Sequence, residues 1–263
     1  MNYYSYNIFD CNIQYNKADR IWCCKYKYGR QRLYYILDGE AWFFNNGIEY
    51  PISTGDICIF PVNLEFIMKQ YSERKMRLLY FDFETIPPII SDRIYSMRAT
   101  EDPVALHILG SLERIFEEIR EENPSIPRVF YPQNGTDSRS RILCMLFDAL
   151  LTRLSDRFGI EYKLDPVIRE SVEYINENFT NDIHVSDLSK IAHLCPDHYT
   201  RLFKANMNAT PYQYLMSLRL NRALALKDQG IGGEELLKLT GFRNLDSLSK
   251  AIRRERPEHD IEK

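Results

Sequence analysis

The chain has 263 residues and a mass of 31.2 kDa, longer than one compact folding unit usually runs and comfortable for two. A 44% hydrophobic share can bury real cores and, with 27% charged residues, excludes an intrinsically disordered chain. Lys and Arg number 34 against 37 Asp and Glu, a net charge of −3, so no global basic field marks the chain for nucleic acid or anionic membrane, and any such signal is local.

The opening MNYYSYNIFD lacks the basic start and apolar core of a signal peptide, and no uninterrupted apolar run of about 18 residues follows. The expectation is a cytoplasmic protein with no membrane partner. Cys11, Cys23, Cys24, Cys58, Cys144 and Cys195 form no CxxC pair and read as free thiols of a reducing compartment.

Tyr6 to Glu84 reads as strands. Trp22, Cys24, Tyr26 and Tyr28 alternate with Cys23, Lys25 and Lys27, a period of two. Short β-rich runs follow at Arg32 to Leu37, Glu40 to Phe44, Ile48 to Ile52, Asp56 to Phe60, Leu64 to Lys69 and Met76 to Phe83. Asp38-Gly39, Asn45-Asn46-Gly47 and Ser53-Thr54-Gly55-Asp56 separate them, supplying the positive φ angles of tight hairpins. Many short, closely spaced strands predict an antiparallel barrel.

The period then changes. In Pro103 to Glu122, Ile108, Leu112, Ile115, Phe116 and Ile119 share a helical face. Ser138 to Phe158 predicts a second helix with Leu143, Phe147, Leu150 and Leu154 at alternating steps of four and three, the seam spacing of helix against helix. That seam serves either a partner protomer or the barrel and neighbouring helix of the same chain. After a junction at Lys163 to Pro166 everything is helical: Asp165 caps a helix starting at Pro166, and short helices open at Ser186 and Cys195-Pro196. A longer helix runs from Thr210-Pro211 to about Lys227, followed by Glu234 to Leu239, a turn at Gly241, and a last helix near Asp246 to Arg254.

Val185 to Arg222 carries a recognisable pattern. Arg201-Leu202-Phe203-Lys204, Pro211, Tyr214-Leu215, Arg219-Leu220 and Ala223 resemble, in spacing, the first helix–turn–helix of AraC/XylS-type transcription regulators, and Gly241-Phe242 resembles the signature of that family's second unit. YYILDGEAWFF and the TGDICIFP run resemble the cupin-like sensor the family places upstream. The resemblance implies an α+β two-domain protein. Residues 1–100 would form a cupin-like effector-binding barrel, 101–160 a helical linker and dimerisation region, and 161–263 an all-α tandem helix–turn–helix domain with a divergent second unit. It implies not an enzyme but a sequence-specific transcription regulator of the activator kind, with double-stranded DNA, a small-molecule effector and RNA polymerase as partners. A homodimer would form through the helix 138–158.

Residue chemistry agrees at the first unit. Asp197, Thr200, Arg201 and Lys204 recur every three or four residues, opposite Leu202 and Phe203. Arg201 can hold a guanine edge in two hydrogen bonds, and Lys204, a turn later, meets phosphate. From Arg201 to Arg256 eleven Lys and Arg face five Asp and Glu, a local excess of six positive charges suited to a polyanion. The second unit departs from the pattern. Gly232-Gly233 replaces an apolar residue, and Leu248 and Ile252 stand where phenylalanines would be. Arg243, Asp246, Ser247 and Lys250 are its candidate DNA contacts, with Asp246 repelled by phosphate unless it accepts from a cytosine amino group. Asn208 takes the place of a turn glycine, and Cys195 that of a stronger serine cap.

In the barrel, Trp22, Tyr26, Arg32, Tyr34 and Trp42 are the candidate ligand-binding residues. Aromatics with polar tips stack on sugar rings, although they also fill small barrels. Arg30 and Arg32 are candidate anchors for an anionic effector. Many cupin-like barrels are metal enzymes, yet His107, His184, His193, His198 and His259 all lie beyond residue 106, so an imidazole metal site in the barrel is excluded. No catalytic residues, metal or cofactor are expected. Two other readings stand beside the regulator: a metal-independent sugar-processing barrel, and a co-regulator whose weakened second unit acts through a partner.

Overall fold

In the computed structural model the described residues are 4–16, 21–24, 30–45, 47–62, 64, 66–70, 75–122, 137–228 and 230–255. Nine antiparallel strands come first: β1 (Ser5–Asn16), β2 (Ile21–Cys24), β3 (Gln31–Asp38), β4 (Glu40–Asn45), β5 (Ile48–Ser53), β6 (Asp56–Phe60), β7 (Phe66–Lys69), β8 (Met76–Ile86) and β9 (Tyr95–Arg98). They form a five-stranded sheet, β1-β8-β3-β6-β9, and a four-stranded sheet, β2-β7-β4-β5. Gly39 and Gly55, at φ of +97° and +91°, make the turns that the sequence marks. Pro51 lies within β5, tolerated because β5 is an edge strand.

Alternation along the strands divides two cores. Tyr34, Ile36, Phe43, Cys58, Phe60, Phe66, Met68, Met76, Leu78 and Tyr80 fill the space between the sheets. Leu33, Ile57, Ile59, Leu79, Phe81 and Phe83 point from the other face of the larger sheet onto α1 (Pro103–Glu122) and α2 (Ser138–Phe158). The α2 seam is spent there. Leu143, Phe147, Leu150 and Leu154 are all fully buried within the chain, and the Phe147 ring packs against Phe81 at 4.7 Å and Phe83 at 5.1 Å. The seam therefore covers the barrel's own sheet and does not face a partner protomer. What α2 leaves exposed is a different stripe, with Ile142 at 48% and Met145 at 70%.

Six further helices follow among the described residues: α3 (Pro166–Asn178), α4 (Val185–Ile191), α5 (Pro196–Met207), α6 (Pro211–Asp228), α7 (Gly233–Thr240) and α8 (Leu245–Glu255). Asp165 caps α3 by accepting from Val167 N, behind a proline in the first turn. Two small cores result. One joins Ile168, Val172, Ile175, Leu188, Tyr199, Phe203, Tyr214 and Leu215; the other joins Leu220, Ala223, Leu226, Leu236, Phe242 and Leu248. α6 enters both and is the beam between the two helical units. No described helix is long and apolar enough to cross a membrane.

Candidate nucleic-acid interface and effector site

α5 separates its residues by chemistry. Tyr199, Phe203 and Met207 are buried against α3, whereas Asp197, Arg201 and Lys204 lie exposed on the outer face. Thr200 is half-buried and its hydroxyl donates to the Pro196 carbonyl at 2.8 Å, so it is partly committed to its own helix. Among the described residues no carboxylate pairs with Arg201 or Lys204, which leaves both cations for an outside anion. The helix ends at Asn208 in the left-handed region, φ +52°, the conformation expected of that substitute for glycine. Its start is weak: Cys195 makes no side-chain cap.

The second unit spends its polar residues at home. Asn244 caps α8, accepting from Ser247 N at 2.8 Å, and the Ser247 hydroxyl donates back to the Asn244 carbonyl. Lys250 pairs with Asp246 at 2.8 Å, one turn away. Arg243 reaches both carboxylate oxygens of Asp182 at 3.1 Å and holds that carboxyl below its usual range. The four candidates thus lie around the start of α8, but they engage groups of the chain itself.

Residue roles absent from the sequence reading fix how the two units meet. Arg219, nearly buried on α6, donates through Nε to the Phe179 carbonyl at 2.7 Å and through a terminal nitrogen to the Asn181 carbonyl at 2.6 Å. Gly241, at φ +72°, sits so close to the same loop that a Cβ there would lie 2.7 Å from Thr180 Cα and O. With Arg243 on Asp182, three contacts seat the second unit on the loop after α3. Arg219 and Gly241 stand in motif positions, yet spacing says nothing of which carbonyl an arginine grips.

The barrel has a polar end. Asp10, Asp82 and Arg32 are neighbours across β1, β8 and β3, since Asp82 faces Asp10 on one side and Arg32 on the other. Arg32 grips Asp82 with two prongs and donates to the Tyr34 hydroxyl at 2.6 Å. Its guanidinium also lies 5.3 Å from the Tyr34 ring centre and 5.9 Å from that of Tyr80. Burial and the neighbouring Asp82 push the Asp10 carboxyl up, against the pull of Arg30 and Arg32 and a hydrogen bond from Tyr80. The Arg32 guanidinium is committed to Asp82 and the Tyr34 hydroxyl, so Arg32 is no anchor for an anion. That corrects the sequence expectation.

Of the other barrel candidates, Tyr34 points into the barrel, 2% exposed among Phe43 and Phe60. Trp42 does not. It alternates with the buried Ala41 and Phe43 and pairs with Pro51 and Lys69, which places it on the outer face of the smaller sheet. Trp22 lies in β2 opposite Met68. Tyr26 lies outside the described residues.

Beyond this polar end, the barrel meets the helical domain. A cavity of about 350 Å³ is lined by Asn7, Phe9 and Glu84 on one side and by Asn176, Leu218, Asn221 and Arg222 on the other. Arg30 crosses the seam to donate to Asn221 Oδ1 at 2.6 Å, and Ile86 packs against the core of the first helical unit.

No family model matches the chain. It is 34% identical over 199 residues to the lactose operon transcription activator of Staphylococcus xylosus, covering 74% of this chain and 68% of that protein. Identity to the raffinose operon transcriptional regulatory protein RafR of Pediococcus pentosaceus is 22% over 228 residues, 84% of this chain and 80% of RafR. Among solved structures, ToxT from Vibrio cholerae O395 aligns with a TM-score of 0.59 at 10% identity, covering 96% of this chain and 93% of ToxT. That likeness is one of fold.

Proposed function

The chain belongs to the AraC-type transcription regulators, and from that premise we propose that it binds double-stranded DNA with α5 in the major groove, under the control of a small neutral molecule bound by the barrel. The observation that carries the first half is the exposed, unpaired state of Arg201 and Lys204 on a helix whose opposite face is core. Arg201 reads a base edge and Lys204 binds phosphate. The second unit, with Arg243 and Lys250 engaged by Asp182 and Asp246, adds backbone contact and orientation.

The effector half rests on the polar end of the barrel. In the cluster of Asp10, Asp82 and Arg32 the guanidinium is held by Asp82 and the Tyr34 hydroxyl and stands beside the rings of Tyr34 and Tyr80, an arrangement of polar groups and aromatic faces that suits a hydroxyl-rich ligand. A carbohydrate fits that chemistry, and two relatives are named for the lactose and raffinose operons. The work divides along the chain: residues 1–100 sense, 101–160 brace the barrel and offer the exposed α2 stripe for homodimerisation, and 161–263 hold DNA. Its place of action is the cytoplasm, where DNA and metabolite meet.

The test is fluorescence anisotropy of the full chain on its own upstream promoter DNA and on random duplex, at several salt concentrations and with candidate sugars. Binding to promoter is expected to exceed random DNA, to fall steeply with salt, and to shift with one sugar. Arg201→Ala should abolish the preference by about 1–3 kcal/mol, whereas Lys204→Ala should weaken both duplexes alike. Equal losses on both duplexes for both changes would overturn these roles.

A further inference from the structure

The seam between barrel and helices buries a charge that it does not pair. Glu84, on β8, is 4% exposed and accepts from Asn7 Nδ2 at 3.3 Å. Among the described residues no Lys, Arg or His stands within ion-pair distance of it. It borders the cavity shared with α3 and α6. The groups around it come from every element packed there: Asn7 from β1, Arg30 ahead of β3, Asn176 from α3, and Tyr214, Asn221 and Arg222 from α6. Arg30 is turned to Asn221, and the Tyr214 hydroxyl donates to Asn176 at 2.8 Å. Asn221 Nδ2, on the facing side, is buried without an acceptor. A carboxylate at such a seam is stable when water reaches it and costly when the seam shuts.

We propose that Glu84 is a proton-linked latch: closing the barrel onto α6 takes up one solvent proton at the Glu84 carboxylate, and opening the seam releases it. The neutral acid carries no charge into the closed seam, while Arg30–Asn221 and the Ile86 contact hold the closed form. Mild acidification therefore holds the helical domain against the barrel, and alkaline conditions free it. Burial raises the Glu84 carboxyl from an ordinary 4.5 to about 7, against the lowering effects of the Asn7 hydrogen bond and Arg30. Tyr214 is pushed well above its usual value by burial and by Glu84, so it stays neutral across this range. The sign follows: a carboxyl raised on closing favours closure below its closed-state value and loses that bias as pH climbs past it. Between pH 8 and pH 6 the closing equilibrium should shift about tenfold.

Hydrogen–deuterium exchange on the full chain, corrected for intrinsic rates, tests the latch without DNA or effector, and so independently of the DNA-binding reading. In the native protein, protection of the barrel-facing part of α6 should fall about tenfold from pH 6 to pH 8. Glu84→Gln, isosteric and neutral, should keep the low-pH protection at every pH. Arg30→Gln should lose α6 protection throughout while the β3 and β8 amides stay protected, which separates an open seam from an unfolded barrel. The same pH dependence in Glu84→Gln as in the native chain, or no dependence in the native chain, overturns the proposal.

Discussion

Lys250 and Asp246 form an ion pair of 2.8 Å one turn apart on α8, at the helix start where a second reading helix would meet DNA. The pair is exposed, so it adds little to stability, but it occupies the cation that would otherwise meet phosphate. Asp246→Asn should release Lys250 and remove a repulsive charge. The expected result is tighter binding to promoter and random DNA alike, with the slope of log affinity against log salt steeper by about 0.9. Anisotropy titrations over a salt series measure both. An unchanged slope would mean that α8 stays away from the duplex.

The α2 seam separates two effects that one helix could confuse. Phe147 is fully buried between Phe81, Phe83 and Tyr6, so Phe147→Ala should cost about 3–5 kcal/mol and lower the melting temperature. Met145, 70% exposed on the same helix, should tolerate Glu within about 0.5 kcal/mol. If the exposed stripe is the dimer face, Met145→Glu shifts sedimentation toward monomer at unchanged stability. Phe147→Ala would then leave the association of the folded fraction as it was.

These two helices also show what the sequence can and cannot tell. The bounds of α1 and α2 follow from apolar spacing, the Asp165 cap from its side chain ahead of Pro166, and the left-handed Asn208 from its place in a turn; each is local. Whether Leu143 and Phe147 cover a partner or the chain's own sheet is a long-range fact, because seam spacing serves both equally. Trp42 illustrates the same limit at two-residue scale: alternation says that it opposes Phe43, not which of the two points inward. Polar clusters were harder still. Asp10, Arg32 and Asp82 are up to 72 residues apart, and Glu84 with Asn221 up to 137, so no motif joins them before the sheets and α6 assemble. β9 leaves no mark in the sequence because four residues carry too little periodicity.

Gly241 tests how tightly the second helical unit is seated. Alanine there would have to hold φ +72° and place a methyl 2.7 Å from backbone atoms of Thr180. Left-handed backbone alone costs a non-glycine residue about 1–3 kcal/mol, and backbone cannot step aside as a flexible side chain does. Gly241→Ala should destabilise the α7–α8 unit by at least that amount, seen as early loss of exchange protection in α8 while α4 and α5 stay protected. Gly241→Asn separates the causes, since asparagine tolerates the backbone angle but brings the same Cβ. Equal damage from both assigns the effect to contact with Thr180.

Arg32 should act as a stabiliser whose removal depends on pH. Its guanidinium is the described partner of Asp82, whose side chain is 5% exposed, and its field lowers the neighbouring Asp10. Arg32→Met leaves two carboxylates in a desolvated barrel end, a change that typically costs about 3–5 kcal/mol when a buried pair is broken. Asp10, already raised by burial and by Asp82, would lose the pull of Arg32 and rise further above its unfolded value, so the folded state binds a proton that the unfolded state does not hold. The penalty is therefore complete at alkaline pH and is relieved as pH falls toward the unfolded carboxylate range. Urea unfolding at pH 8 should show a larger loss than at pH 5, and adding Asp82→Leu to Arg32→Met should recover most of the difference at pH 8. Equal losses at the two pH values would mean that water still solvates Asp82 and that the polar end of the barrel is open.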